Sequence, residues 1–317
     1  MALTPTPPPA LPPDVPPGLP SDLQLWPQGD EPRYDYCLLP YPRQPATAAT
    51  EWMSVNLLRA SWADHCVLDE GDHLLRRLRN GLGVGQVVWG IKHRHLHDNR
   101  DEAVSWELYF YRRPHNPPEF DLPRIAGLFA PIAVLAALPP GLPWLMVSVE
   151  MDIYQLRGER PCHASVYVPT TGLSYRAWPD QPPELENHYL FRDPRREMSD
   201  ILAALTASTH LPRTPRALAQ VLPPQLLACH HICVANKRRA DAVYFSRLDV
   251  HQVDWFLRRH GWPERFLTAW QRQKPGLGHL VLDVGVDFRG GVAAAENAEV
   301  GAAASLHFCK SGLYGAY

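Results

Sequence analysis

Several acidic side chains of this sequence could do chemistry, because they fall in short segments where polar and apolar residues alternate. Glu107, Glu150, Asp152, Asp283 and Asp287 are five of them. A carboxylate buried away from water acquires a raised pKa and can act as a general base. We therefore take Glu107, Glu150 and Asp152 as candidate catalytic residues. The alternative for each is a structural ion pair with a neighbouring arginine.

Metal binding is a second candidate chemistry, because His93, His95 and His97 alternate along the chain. On a β-strand all three would share one face, and His-x-His is a spacing that metal ligands use. A divalent metal at His93 and His95 would make the protein a metal-dependent enzyme. The alternative is a set of solvated histidines at the end of a hairpin, and the pattern alone assigns no metal ligand.

The elements that must position these residues are β-hairpins separated by helices. The alternating pattern indicates four hairpins, which pair 86–94 with 104–111, 145–156 with 163–168, 230–237 with 241–248, and 278–288 with 304–314. Helices are predicted over 50–82, over 120–138 with a kink at Pro131, over 194–210, after Thr214 and after Asp249. Hairpins imply antiparallel pairing. The predicted class is therefore α+β, an antiparallel sheet of repeated hairpins with helices laid on it.

Each predicted strand has one apolar face and one polar face. In 104–111, for example, Trp106 and Leu108 oppose Glu107 and Tyr109. The apolar face should meet the helices, whereas the polar face must contact water, a ligand or other polar groups. Either the sheet is open and its polar face is solvated, or it curls into a barrel with helices outside and a polar interior. Tyrosines and glycines on the polar faces favour the barrel.

Composition restricts the partners and the cellular location. Lys and Arg total 31 and Asp and Glu total 33, and this balance argues against nucleic acid as the main partner. The sequence has no apolar stretch of about 18 residues that would predict a membrane span. Residues 1–30 are rich in proline without a signal-peptide pattern, so we expect a disordered tail before a single domain over 31–317. These features, with scattered cysteines, predict a cytoplasmic protein and indicate no oligomeric state. A small-molecule substrate is expected from the polar strand faces, if they enclose an interior.

Two stretches carry a resemblance to a known family: ICVANKRRADAVYFSR at 232–247, preceded by the helix after Thr214, and the closing KSGLY at 310–314. They resemble the ABBA-type aromatic prenyltransferases, the PT-barrel family, and in pattern the match covers 50–317. Members are similar in building a ten-stranded antiparallel barrel from α-β-β-α repeats, with substrates inside. The resemblance implies a biosynthetic transferase that moves a prenyl group from an allylic diphosphate to an aromatic acceptor. The sequence indicates four hairpins where the family has five.

The resemblance also implies roles for basic and tyrosine residues on the predicted strands. Prenyl transfer needs cations and hydroxyls to hold the diphosphate, and aromatic walls to shield an allylic cation. The candidate substrate-binding residues are Lys92, Tyr109, Tyr154, Tyr167, Arg247, Asp283, Lys310 and Tyr314. Lys237 is interpreted as a surface cation near a turn. The rival functions are the metal-dependent enzyme and a non-catalytic ligand-binding or accessory protein.

Overall fold

In the computed structural model of the chain, the described residues are 18–26, 52–83, 87–95, 104–113, 116, 120–130, 144–168, 172–177, 182–290 and 306–317. Ten strands in this part of the chain form one closed antiparallel barrel. They are β1 (Val87–Arg94), β2 (Val104–Tyr111), β3 (Met146–Met151), β4 (His163–Val168), β5 (Leu173–Ala177), β6 (Glu184–Arg192), β7 (Ile232–Lys237), β8 (Asp241–Leu248), β9 (Leu282–Gly290) and β10 (Leu306–Ala316). Each strand pairs with its neighbours in the chain, and β10 pairs with β1. The predicted α+β barrel is therefore confirmed.

Eight α-helices occur in the described residues: two precede the first hairpin, one joins the two strands of the second, and five lie between hairpins. They are α1 (Val55–Asp64), α2 (Leu68–Leu82), α3 (Leu122–Phe129), α4 (Ile153–Leu156), α5 (Met198–Thr206), α6 (Pro215–Val221), α7 (Val250–Arg259) and α8 (Glu264–Gln273). Short 3-10 turns occur at Ser21–Leu23, Pro224–Leu226 and Lys274–Gly276. No helix in these parts of the chain has the length and apolar character needed to cross a bilayer.

The outer face of the barrel packs against the helices, as the strand alternation predicts. Trp106 of β2 meets Trp62 of α1 edge to face, with ring centroids 6.4 Å apart, and its indole NH donates to Ser61 at 2.9 Å. Phe110 of the same strand packs on Phe129 of α3 at 5.6 Å. Burying each such aromatic side chain stabilises the fold by about 2–3 kcal/mol. The main hydrophobic core is thus the layer between barrel and helices.

The sequence prediction missed the fifth hairpin, which β5 and β6 form. These strands are largely polar, and their residues are mostly half-buried rather than buried. Leu185 even points to solvent, with 48% of its surface exposed. Without one consistently apolar face, the period-two pattern is too weak to indicate strands. The extra hairpin raises the count from four hairpins to five.

Two predicted helices have different limits. The helix predicted over 50–82 is two helices, because the chain turns at Cys66, whose φ is +55°. The helix predicted over 194–210 is the shorter α5. Of the helix predicted over 120–138, α3 is described, whereas the kink at Pro131 lies outside the described residues. The caps at Thr214 and Asp249 are confirmed, since both side chains accept backbone hydrogen bonds.

The strand predicted over 145–156 is wrong at its end, where the structure has α4. Asp152 accepts a hydrogen bond from the Gln155 backbone at 2.9 Å, and the Gln155 side chain accepts one from the Asp152 backbone at 2.8 Å. This reciprocal capping box favours a helix over continued strand. Tyr154 lies on α4 and packs on the outer core, with the Arg160 guanidinium 4.6 Å above its ring.

Removing the Asp152 carboxylate tests whether this residue is structural. Asp152→Ala should lower the free energy of unfolding by about 1 kcal/mol through the lost cap, without altering ligand binding in the barrel. Urea denaturation measures the first effect, and Asp249→Ala, which removes the same motif from α7, is the control. Unchanged stability together with lost ligand binding would instead favour a catalytic Asp152.

Candidate functional site

The barrel interior contains a polar cavity of about 380 Å³. Five residues that the sequence predicted as site residues line it: Lys92, Glu107, Tyr109, Glu150 and Lys310. Their convergence follows from strand geometry, since residues of one parity on adjacent strands share a face. The register pairs β1 with β10 on one side and with β2 on the other, so side chains distant in sequence meet inside.

Lys92 is the centre of the first ion cluster. Its ammonium contacts the carboxylate of Glu107 and lies 2.9 Å from Glu150 Oε2. Ser105 donates to the other Glu150 oxygen at 2.7 Å, and the Tyr109 hydroxyl donates to Glu107. All five side chains therefore belong to one hydrogen-bonded network.

The network controls protonation inside the barrel. Burial alone would lower the pKa of Lys92, but Glu107 and Glu150 outweigh it and hold that pKa well above its ordinary value. Burial alone would raise the pKa of Glu150, but Lys92 and then Lys310 hold it well below its ordinary value. Glu150 is therefore an ionised carboxylate and lacks the raised pKa expected from the sequence, because a lysine lies beside it.

A second ion cluster surrounds Asp287 of β9. Asp287 Oδ2 lies 2.9 Å from Lys237 Nζ and 3.7 Å from Lys310 Nζ, so two ammonium groups approach one oxygen. Lys237 also donates to the Tyr244 hydroxyl at 3.1 Å. The interpretation of Lys237 as a surface cation is wrong, because its side chain lines the cavity and is only 16% exposed. Asp287 and Tyr244 are further site residues. The sequence places Asp287 among the acids on polar strand faces, but neither residue belongs to its candidate catalytic or substrate-binding set.

The missed hairpin supplies a third cluster. Arg176 of β5 forms an ion pair with Glu186 of β6, and Ser165 of β4 donates to the same carboxylate. All three residues line the cavity. No sequence signal located Arg176 or Glu186, because their strands were not recognised.

Three tyrosine rings form one wall of the interior. The Tyr314 ring lies 5.9 Å from that of Tyr109 and 6.1 Å from that of Tyr244. The rings lie close to the strands because two facing positions are glycine: a Cβ at Gly285 would overlap the Tyr244 ring, and one at Gly312 would overlap the Tyr314 hydroxyl. Burial raises the pKa of all three tyrosines, so their hydroxyls remain protonated donors.

A smaller apolar cluster adjoins the charged one. Tyr167 packs edge to face on Tyr189 at 5.6 Å and on Phe191 at 6.4 Å, beside Met146. Met146 and Tyr189 also line the cavity, whereas Tyr167 lies behind them. The interior therefore changes from ion clusters to an aromatic surface.

Arg247 and Asp283 lie apart from the cavity lining. A bulge between β8 and β9 places Arg247 at φ +60°, where its backbone NH donates to Asp283 at 2.8 Å. Burial raises the pKa of Asp283 well above its ordinary value, against the effect of this hydrogen bond. Burial thus favours the protonated form of Asp283, and the structure does not bring this residue together with the lysines.

His93 and His95 point away from the cavity and pack outside the barrel near His260. Their rings are 5.1 Å apart, and the His95 and His260 rings are 6.1 Å apart. Both nitrogens of His93 are buried without a hydrogen-bond partner among the described residues. No group of three His, Cys, Asp or Glu in the described ranges is arranged to hold a metal ion, and His97 lies outside those ranges.

No protein-family model matches this chain, and no curated protein matches it. Membership of the PT-barrel family therefore stays a prediction, based on residues 232–247 and 310–314.

The Lys92 cluster should be a major determinant of stability. Lys92→Met leaves two carboxylates buried without their cation, so we expect the free energy of unfolding to fall by about 3–5 kcal/mol. Lys310→Met is the matched control and should cost less, because Asp287 keeps Lys237. Adding Glu150→Gln to Lys92→Met should recover part of the loss in chemical denaturation. Equal losses for the two single variants would contradict this network.

The buried histidines predict acid sensitivity. Burial lowers the pKa of His93 to about 4 and that of His260 to about 3, with His95 adding to both shifts. Both are neutral when folded but gain protons near pH 6.5 when unfolded, so stability should be present above that pH and fall as the pH decreases. Each histidine contributes a slope of up to about 1.4 kcal/mol per pH unit between about pH 6 and 5.

His93→Leu should make the free energy of unfolding less dependent on pH, by up to about 1.4 kcal/mol per pH unit. Denaturation curves measured between about pH 6 and 5 give this slope. His73→Leu, at an exposed position of α2, is the matched control and should leave the slope unaltered. An identical slope in the wild type and His93→Leu would refute the assignment.

Proposed function

We propose that the protein is a small-molecule transferase whose active site is the barrel interior, and that it moves a prenyl group from an allylic diphosphate to an aromatic acceptor. The observation that carries this proposal is the approach of Lys92, Lys237 and Lys310 to one another beside tyrosine rings inside a closed barrel. Ammonium groups can hold a diphosphate, and aromatic rings can stabilise the allylic cation left behind.

The charge of the lining suits an anionic ligand. Its basic residues are Lys92, Arg176, Lys237, Arg238, Arg239 and Lys310, and its acidic residues are Glu107, Glu150, Glu184, Glu186 and Asp287. Two of the lysines already share Asp287, so a phosphate oxygen near that position would meet both ammonium groups. Partial removal from bulk water would make each of these contacts stronger than on an exposed surface.

The proposed reaction uses both halves of the interior. The bond between prenyl C1 and the diphosphate oxygen breaks, and diphosphate leaves with the electron pair towards Lys237 and Lys310. The allylic cation remains beside the rings of Tyr109, Tyr244 and Tyr314, and an aromatic carbon of the acceptor attacks it. The hydrocarbon chain would lie on the aromatic surface that adjoins the charged clusters.

Glu150 is the proposed acceptor of the ring proton. Its lowered pKa makes it a weak base, but a protonated aromatic ring is a strong acid, so a weak base suffices. Being ionised at neutral pH, Glu150 is ready to take that proton without a prior deprotonation. Lys92 would then lose part of its compensation until the proton leaves.

Binding of inorganic pyrophosphate tests the anion site. Lys237→Met and Lys310→Met should each weaken binding about tenfold or more by titration calorimetry, as expected for a lost charge-assisted contact. Lys274→Met is the matched control, because Lys274 pairs with Asp254 outside the barrel at 2.9 Å. Equal affinity in all variants would contradict the site.

Turnover tests the transfer itself. With dimethylallyl diphosphate and a dihydroxynaphthalene acceptor, mass spectrometry should detect a carbon-prenylated product and released pyrophosphate. Glu150→Gln should keep pyrophosphate binding but lose product formation. Tight pyrophosphate binding without product from a panel of phenolic and indolic acceptors would favour the non-catalytic ligand-binding function.

A further inference from the structure

Lysine is scarce in this chain and concentrated in the barrel interior. Among the 31 basic residues only Lys92, Lys237, Lys274 and Lys310 are lysine, and the rest are arginine. Three of these four lysines line the cavity. Arginine binds phosphate and carboxylate at least as well, but only lysine offers an amine that can lose its proton and react. The concentration therefore indicates that the interior requires an amine as well as positive charge.

Lys310 is the least compensated of the three amines. Lys92 and Lys237 each have a carboxylate oxygen at 2.9 Å. Within the described part of the chain, the nearest ion-pair partner of Lys310 is Asp287 at 3.7 Å, and that carboxylate already binds Lys237. Although the residue lies on a strand inside the barrel, its ammonium is thus held beyond hydrogen-bond distance of any described carboxylate.

The surroundings of Lys310 make its ammonium easier to deprotonate than that of an ordinary lysine. The charged groups that face it are the cations Lys92 and Lys237 and the acids Asp287 and Glu150. Burial first, and then repulsion from Lys92, lowers the pKa of Lys310, while the two acids oppose the change. A lysine that is desolvated beside other cations is the form of lysine that attacks carbonyl carbon.

We infer that Lys310 is an amine nucleophile and that the cavity accepts an aldehyde or ketone carrying an anionic group, which condenses with Lys310 to form an imine. Lys92 and Lys237 would hold the anionic group beside the reacting carbon. The inference goes beyond prenyl transfer and does not depend on it, because it concerns the reactivity of one amine.

The step is balanced without any further reagent. The nitrogen lone pair of Lys310 attacks the carbonyl carbon, and the carbonyl oxygen takes a proton, giving a carbinolamine. Loss of water then forms the carbon–nitrogen double bond, so amine and carbonyl compound become imine and water. The two hydrogens that leave the nitrogen of Lys310 end in that water, so the proton balance needs no other donor.

Pyridoxal 5′-phosphate is a suitable probe, since it carries both an aldehyde and a phosphate. The folded full chain is mixed with it near neutral pH, imines are trapped with sodium borohydride, and labelled lysines are found by peptide mass spectrometry. Lys274 in the same molecule is the internal control. Lys310 should be labelled several-fold faster than Lys274, because a lowered pKa gives more free amine and the neighbouring lysines hold the phosphate of the probe beside it.

Two comparisons complete the test. Lys310→Arg keeps the positive charge but cannot form an imine. This variant should lose the label inside the barrel and keep the label on Lys274. Circular dichroism checks that the variant is folded. Pyridoxal, which lacks the phosphate, should label Lys310 more slowly but Lys274 equally. Three results would overturn the inference. Lys274 could be labelled as fast as Lys310 or faster, Lys92 or Lys237 could be labelled in place of Lys310, or Lys310→Arg could keep a label inside the barrel. Prenyl product without a Lys310 label would refute this inference alone.

Discussion

Pairing of the first strand with the last is the interaction on which the rest of the structure depends. β1 and β10 are joined along a register from Val88 with Ala316 to Arg94 with Lys310. This pairing removes both sheet edges and separates the polar faces of the strands from bulk solvent. It also brings Lys92 and Lys310 to one interior although 218 positions separate them in the chain. An open sheet of the same strands would leave these side chains in water, where neither their pairing nor their pKa values would be unusual.

Because the barrel is closed, the ionised side chains inside it need neighbours of opposite charge. A single unpaired ion in such an interior costs several kcal/mol, and the three ion clusters lower that cost by placing acids beside each base. The compensation is uneven: Lys92 has two carboxylates, whereas Lys237 and Lys310 share one. An incoming anion gains most where compensation is least, at Lys310, which has no carboxylate within hydrogen-bond distance among the described residues. Charge distribution, rather than cavity volume, therefore points to the place where a ligand's anionic group would bind.

Much of the site follows from strand parity alone, since alternation is enough to place Lys92, Glu107, Tyr109 and Glu150 on the polar faces of their strands. Parity also separates His93 from Lys92, because adjacent residues face opposite ways, and this is a sequence signal against a metal site in the interior. The Asp152-x-x-Gln155 capping box is readable from the sequence too. By contrast, the hairpin with Arg176 lacks a continuous apolar face, and the bulge that sets Arg247 depends on backbone geometry. Both the hairpin and the bulge depend on contacts between strands in the closed barrel, so the local sequence could not predict them.

The central claim is that the enclosed polar faces form one ligand site. A crystal structure of the full chain soaked with inorganic pyrophosphate tests it most directly, because the position of bound phosphorus is observed rather than inferred. The account predicts density inside the barrel, within ion-pair distance of Lys237 and Lys310 and beside Asp287. Density confined to arginines on the outer surface, with the interior unchanged at saturating pyrophosphate, would contradict it.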